Sequence, residues 1–205
     1  MISPDLSYEK KLWKAGVRLV AGLDEAGRGA WAGPVAAGAV ILPADAKIIK
    51  VLSGVRDSKQ MTPRQRALWA EKIKAAARAW GVGMASNEEI DAVGILPATR
   101  LAMRRALEQL DCDPEQLLVD AVHLSEIAIP QKALIKGDVH VLSIAAASVL
   151  AKTARDAVMV ALDAEYPGYG LARHKGYGTA FHRAALEQLG ACEIHRKSFR
   201  PVKDL

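Results

Sequence analysis

Four acidic residues stand out by what surrounds them. Asp24 and Glu25 are adjacent and close an apolar run, Val20–Ala21–Gly22–Leu23. Asp120 sits in another, with Leu117–Leu118–Val119 before it and Ala121–Val122 after it. Asp138 follows Lys136–Gly137, ahead of a long stretch of small and apolar residues. A carboxylate in an apolar strand is costly unless a partner meets it. Each has a plainer reading: solvated acids at a strand end for Asp24 and Glu25, a hydrogen-bonded buried acid for Asp120, a helix cap for Asp138. Together they are four carboxylates with no cysteine or histidine in a ligand pattern, which favours Mg²⁺ or Mn²⁺ over zinc. Several acids around hard divalent ions suit two-metal phosphodiester hydrolysis. One ion helps to generate the attacking hydroxide, and the other stabilises the leaving oxygen.

Other stretches could grip a substrate. Gly27–Arg28–Gly29 is neither a P-loop nor GxGxxG. Its glycines let backbone come close to a ligand, and exposed N–H groups can hold phosphate or sugar oxygens; the plainer reading is a tight turn with a solvated arginine. In His174–Lys175–Gly176–Tyr177–Gly178–Thr179, a tyrosine between glycines has little side-chain cover. It could stack on a sugar or base, or pack on the core with its hydroxyl at the surface. Lys152 and Asp156, four apart on a helix, read as an exposed or half-buried ion pair. Asp57–Ser58–Lys59 reads as a polar loop, with phosphate contact as the sharper alternative.

The elements that must position these groups follow from pattern. Residues 5–16 read as a helix. Leu19–Leu23, Val35–Leu42, Trp80–Ser86 and Leu117–Val122 read as strands, and 128–135 as a short fifth. Adjacent side chains of a regular strand face opposite ways, so Asp24 and Glu25 reach one ion only if the first strand ends there; Gly27 would permit that bend. Thr62–Pro63–Arg64–Gln65 is a strong helix start, with the helix running to about Ala79. Helices are expected over Asn87–Val93, Pro97–Leu110 and His140–Tyr166, and from Thr179 to Leu189, stopping at Gly190. Three strands, then strand–helix alternation, then helices only, imply an α/β domain with a mixed sheet and a helical C-terminal part.

The 205 residues suit one domain. No apolar run reaches the roughly 18–20 residues of a membrane span, and the charged N-terminus has no secretory h-region. Cys112 and Cys192, with no CxxC, imply neither a disulfide framework nor a cysteine zinc site, which fits a reducing cytoplasm. The net charge of +5 leans mildly toward polyanions. Positive charge is concentrated in Arg173–Lys175 and in the tail His195–Lys203.

The sequence resembles ribonuclease HII. The resemblance rests on Asp24–Glu25–Ala26–Gly27–Arg28–Gly29 with Ala32–Gly33–Pro34–Val35, on Asp57–Ser58–Lys59, on Leu118–Val119–Asp120 and on Lys136–Gly137–Asp138. It continues through Ser143–Ile144–Ala145–Ala146–Ala147–Ser148, Ala151–Lys152 and Arg155–Asp156, then the stretch from His174 to Thr179, then His195–Arg196–Lys197–Ser198–Phe199. It is loose at position 197 and over 123–135. It implies an α/β, RNase H-like fold: a five-stranded mixed sheet flanked by helices over about 1–165, with a helical substrate-binding segment over about 166–205 of the same domain. It implies an endonuclease that hydrolyses the RNA strand of RNA–DNA hybrids and cuts 5′ to ribonucleotides embedded in duplex DNA, leaving 5′-phosphate and 3′-hydroxyl ends. Such an enzyme serves ribonucleotide removal in DNA replication and repair. The expected cofactors are two Mg²⁺ or Mn²⁺ ions on Asp24, Glu25, Asp120 and Asp138. The expected substrate contacts are Gly27, Arg28 and Gly29 at the 2′-hydroxyl, Tyr177 stacked at the next deoxyribonucleotide, and Lys59, Ser148, Lys152, Lys175 and the basic tail. The expected partners are nucleic acid and no membrane, and the expected state is a cytoplasmic monomer.

Three rivals remain open on the residues alone. Another nuclease of the same fold, such as a junction resolvase, would share the carboxylates without needing a 2′-hydroxyl sensor. A non-catalytic nucleic-acid-binding module would need positive charge and not four acids. A small-molecule phosphohydrolase would use the same ions, and the basic C-terminus argues mildly against it.

Overall fold

In the computed structural model, which describes residues 3–204, the chain begins with α1 (Ser7–Lys14), β1 (Val20–Ala26) and β2 (Val35–Ile41). Helix α2 (Ile48–Val51), a 3-10 turn at Ser58–Gln60 and α3 (Pro63–Ala76) lead to β3 (Ala79–Ala85). Then come α4 (Asn87–Val93), α5 (Ile95–Glu108), β4 (Gln116–Asp120), β5 (Gln131–Leu134), α6 (Gly137–His140) and the long α7 (Leu142–Glu165). The C-terminal part holds α8 (Leu171–His174), α9 (Ala180–Leu189) and a 3-10 turn at Val202–Asp204.

The strands form one mixed sheet in the order β3-β2-β1-β4-β5. β2 is antiparallel to β1 and β3, while β4 and β5 continue parallel to β1 and to each other. Local chemistry sets most boundaries. Thr62 and Gln65 close a reciprocal capping box at the start of α3, and Ser86 and Glu89 do the same for α4. α3 stops at Ala76 rather than Ala79, because Ala77 turns extended and the Arg78 N–H already donates to the Ile41 carbonyl. β4 stops at Asp120 rather than Val122, because Ala121 takes a left-handed φ of 51°. The short helices α2, α6 and α8 are too brief to show a periodic signature.

Strand parity divides the core. Val20, Val40 and Leu118 pack with Ile144, Ala145 and Ala147 of α7. Ala21, Leu23, Ala39, Leu117 and Val119 pack with Ala98, Ala102, Met103 and Ala106 of α5 on the other face. Small residues bring both helices close. A side chain at Gly38 would meet the Ala147 carbonyl oxygen at 2.3 Å, and one at Gly83 would meet the Ala102 carbonyl oxygen at 2.2 Å. A third cluster joins Met159 of α7 and Ala32 of the β1–β2 loop to Tyr169, Leu171, Leu186 and Ile194. The C-terminal segment is thereby seated against the loop that follows the paired acids.

Candidate active site

β1 does not end at its acids. Asp24 and Glu25 still pair with Gly38 and Ala37 of β2, and the strand runs on to Ala26. What ends is the other ladder, whose last pair is Leu23 with Val119. Asp120 is therefore the terminal residue of β4, not a mid-strand acid. The site opens where two parallel strands part at their C-terminal ends, where α/β sheets commonly bind ligands.

Parity then assigns the side chains. Asp24 follows Val20 and Gly22 on the α7 face, and Asp120 follows Leu118 on the same face. Glu25 has the opposite parity, yet its carboxyl still feels Asp120 and Lys59 across the opened edge. Asp138 lies in α6 and caps no helix, since its N-cap position is Lys136 and no side-chain cap forms. Lys136 has a φ of 57°, and the Gly137 N–H behind it donates to Asp120 Oδ1 at 2.7 Å, which fixes α6 against the end of β4. Two left-handed non-glycine residues thus flank the acids of β4 and α6, a strain that costs about 1–3 kcal/mol each and is often kept at functional sites.

The acids crowd one another. Asp24 is 3% exposed, and its pKa is raised well above the usual carboxylate range by burial, then by Glu25 and Asp120. Burial also raises Glu25 and Asp120, with the Arg28 bond and the Gly137 N–H respectively working the other way. Arg28 Nη1 donates to Glu25 Oε1 at 3.0 Å, and Lys59 Nζ lies 3.5 Å from Asp138 Oδ2. Glu25 Oε2 is buried without a hydrogen-bond partner. Among the described residues no three His, Cys, Asp or Glu side chains already form a metal cage. The donor set nonetheless fits a hard cation. It is oxygen only, it is held in mutual repulsion, and one buried oxygen has no partner; a divalent ion would relieve both.

A cleft of about 250 Å³ gathers Asp24, Glu25, Ala26, Gly27, Arg28, Gly29, Ser58, Lys59, Asp120, Lys152 and Tyr177. Ser148, from α7, acts on Asp24 to lower its pKa, against the larger effect of burial, and shares a 2.8 Å hydroxyl contact with Ser58. The Asp57–Ser58–Lys59 stretch is a capped 3-10 turn, held by the Lys59 N–H donating to Asp57 Oδ1 and by Arg66 Nη1 donating to the Ser58 carbonyl. Lys152 forms the half-buried pair with Asp156 at 2.7 Å, and Arg66 shares that acid at 2.9 Å. The Tyr177 ring is not bare: Lys152 Nζ lies 5.2 Å from its centre and the Arg155 guanidinium 5.4 Å.

Two expected grips are placed elsewhere. Lys175 Nζ donates to the Ala172 carbonyl and does not line the cleft. His195 and Arg196, at the head of the basic tail, are 0% exposed. In the sequence both belong to the basic tail and read as surface charge. The only signal against that reading was their position beside Ile194, and a basic run conceals burial.

A cluster of carboxylates at the open C-terminal edge of a mixed five-stranded sheet, with β2 antiparallel and α7 across one face, defines a nuclease of the RNase H-like fold. The solved structures agree. The chain superposes on the crystal structure of ribonuclease H2 from Pyrococcus horikoshii OT3 with a TM-score of 0.75 and 28% identity, covering 90% of this chain and 95% of that one. It shares the fold of Bst-RNase HIII, crystallised in complex with Mn²⁺, at a TM-score of 0.65 and 22% identity, covering 91% of this chain and 68% of that one. The ribonuclease HII family model matches residues 21–202. Ribonuclease HII of Dehalococcoides mccartyi (strain ATCC BAA-2266 / KCTC 15142 / 195) is 52% identical over 204 residues, covering 100% of this chain and 96% of that protein. The Synechococcus sp. (strain JA-3-3Ab) protein of the same name is 53% identical over 205 residues, covering 100% and 92%. The chain belongs to the ribonuclease HII family and is an endonuclease of RNA–DNA hybrids. Among the described residues no helix is long and apolar enough to cross a membrane.

Proposed function

We propose that Asp24, Glu25, Asp120 and Asp138 hold two divalent ions, Mg²⁺ or Mn²⁺, and that the chain cuts on the 5′ side of ribonucleotides, in hybrids and singly embedded in duplex DNA. The observation that carries this is the convergence, in one cleft, of the buried Asp24 and the part-buried Glu25 and Asp120, which repel it, with the Gly27–Arg28–Gly29 turn and Tyr177. The ions supply a lowered water pKa and Lewis acidity toward the phosphate. The chain's own groups do the remainder. Asp24 sits centrally, its pKa raised by burial and then by Glu25, Asp120 and Asp138, with Ser148 working the other way. Lys59 and Lys152, which both line the cleft, meet phosphates without reading sequence. The turn meets the 2′-hydroxyl, the group that separates RNA from DNA. Tyr177, backed by two cations, presents a face for stacking on the following deoxyribonucleotide. The products are a 5′-phosphate and a 3′-hydroxyl, and the segment from about 166 to 205 serves as the substrate-binding part of the same domain.

The test is a duplex with one embedded ribonucleotide, incubated with Mg²⁺ or Mn²⁺ beside an all-deoxy control. Cutting on the 5′ side of the ribonucleotide, with the control intact, is expected. Cutting of an all-DNA junction with the ribonucleotide duplex untouched would overturn the reading.

A further inference from the structure

Two buried arginines lie under the Gly27–Arg28–Gly29 turn. Arg155 of α7 and Arg196 of the tail are both 0% exposed. Among the described residues neither forms a salt bridge. Their partners are backbone carbonyls. Arg155 donates Nε to Pro34 at 2.7 Å, Nη1 to Lys175 at 2.9 Å and Nη2 to Ala32 at 3.1 Å. Arg196 donates Nε to Gly33 at 3.0 Å, Nη1 to Arg28 at 2.8 Å, and Nη2 to Gly27 at 2.8 Å and Pro34 at 3.1 Å. All but one of these bonds end on the single segment from Gly27 to Pro34. The exception ties that segment to the loop carrying Tyr177.

The direction of those carbonyls has a consequence. In a planar trans peptide the C=O and the next N–H point opposite ways. With the Gly27 and Arg28 carbonyls drawn inward to Arg196, the N–H groups of Arg28 and Gly29 face away from it. Among the described residues neither amide has a backbone acceptor within the chain. The fit is tight as well: a side chain at Gly27 would meet Arg155 Nε at 1.9 Å. Burial and then the nearby Arg155 lower the Arg196 pKa to about 9, which leaves it charged at neutral pH. Asp156 and Asp91 act on Arg155 and Arg196 without forming a salt bridge, and a buried cation with no acid in contact destabilises a fold unless dipoles surround it. Two of them beneath one turn also hold positive potential where a phosphate would approach.

We propose that Arg155 and Arg196 are positioning residues for ribonucleotide recognition. They aim the amides of Arg28 and Gly29 outward and fix that turn in register with Tyr177. The proposal rests on the reading that Gly27–Arg28–Gly29 senses the 2′-hydroxyl.

Arg196→Lys and Arg155→Lys keep the charge and lose the fork that spans several carbonyls. Two duplexes differing by one 2′-hydroxyl are titrated by fluorescence anisotropy with Ca²⁺ as the metal, and kcat and KM on the ribonucleotide duplex are measured with Mg²⁺. Each lysine variant is expected to melt cooperatively, and its ribo-over-deoxy binding ratio to fall about tenfold, or about 1.4 kcal/mol. KM should rise more than kcat falls. An unchanged ratio in two folded variants overturns the proposal while leaving the sensor reading intact. Should only one variant fold, its ratio decides. Failure of both to fold assigns the arginines to stability alone and also overturns it. Equal binding of the two duplexes by the unaltered chain overturns the sensor reading and the proposal with it.

Discussion

Two clusters of like charge meet within one site, and they are completed differently. Burial, and then one another's charge, pushes up the pKa values of the acids at the edge of β1 and β4, and Glu25 Oε2 has no hydrogen-bond partner. The arginines under the turn spread their guanidinium nitrogens over carbonyls of the chain itself. The first cluster is built for a charge brought from outside, while the second is satisfied by the fold. A buried charge that the chain satisfies serves position; one that it leaves under strain serves chemistry.

The largest effect should come from the strained cluster. Asp24→Asn removes its central acid, and cleavage should fall by about 10³-fold or more, since metal-assisted stabilisation is worth several kcal/mol. Duplex binding should persist, and without metal the melting temperature should rise by about 2–4 °C for each 1 kcal/mol of repulsion relieved. A lower melting temperature would show that the acids are stabilised by the fold after all. Next is Asp156→Asn. It strips Arg66, itself 8% exposed, and Lys152 of their shared acid. Urea unfolding should show a loss of about 3–5 kcal/mol, the usual result of leaving a buried charge unpaired. A smaller loss would mean that carbonyls alone can hold Arg66, as they hold Arg196.

Three buried histidines of the C-terminal part, His174, His182 and His195, offer a pH test. Burial lowers the pKa of His174 and His195, and brings His182 down to about 4. Between the ordinary value near 6.5 and about 4, the unfolded chain binds more protons than the folded one. Stability from these groups is thus complete above about pH 6.5 and drains away as pH falls toward 4. Melting curves over that range, compared with those of His182→Asn, should show a weaker acid dependence in the variant. The smallest effect is expected of Lys59→Met. Its side chain is 76% exposed, so losing the pair with Asp138 should change stability by less than about 1 kcal/mol. A marked rise in KM with little change in melting temperature would assign it to the substrate.

Much of this was legible from residues alone. The capping box at Thr62 and the strand and helix runs are local, because propensity and capping act over a few residues; the second box, at Ser86, reads in the sequence only as the end of a strand. Motif order carried the family, and the acids stood out because a carboxylate in an apolar run needs a reason. Tertiary structure decided what composition could not express. It placed the opening of the site at the parting of β1 from β4, where Ala121 turns left-handed, and not at an end of β1. It turned Lys175 onto a carbonyl and buried Arg196. Sequence fixes which charges a chain has. Whether a charge meets solvent, a carbonyl or another charge depends on segments far apart in the chain, and Arg196 lies more than 160 positions from the turn it holds.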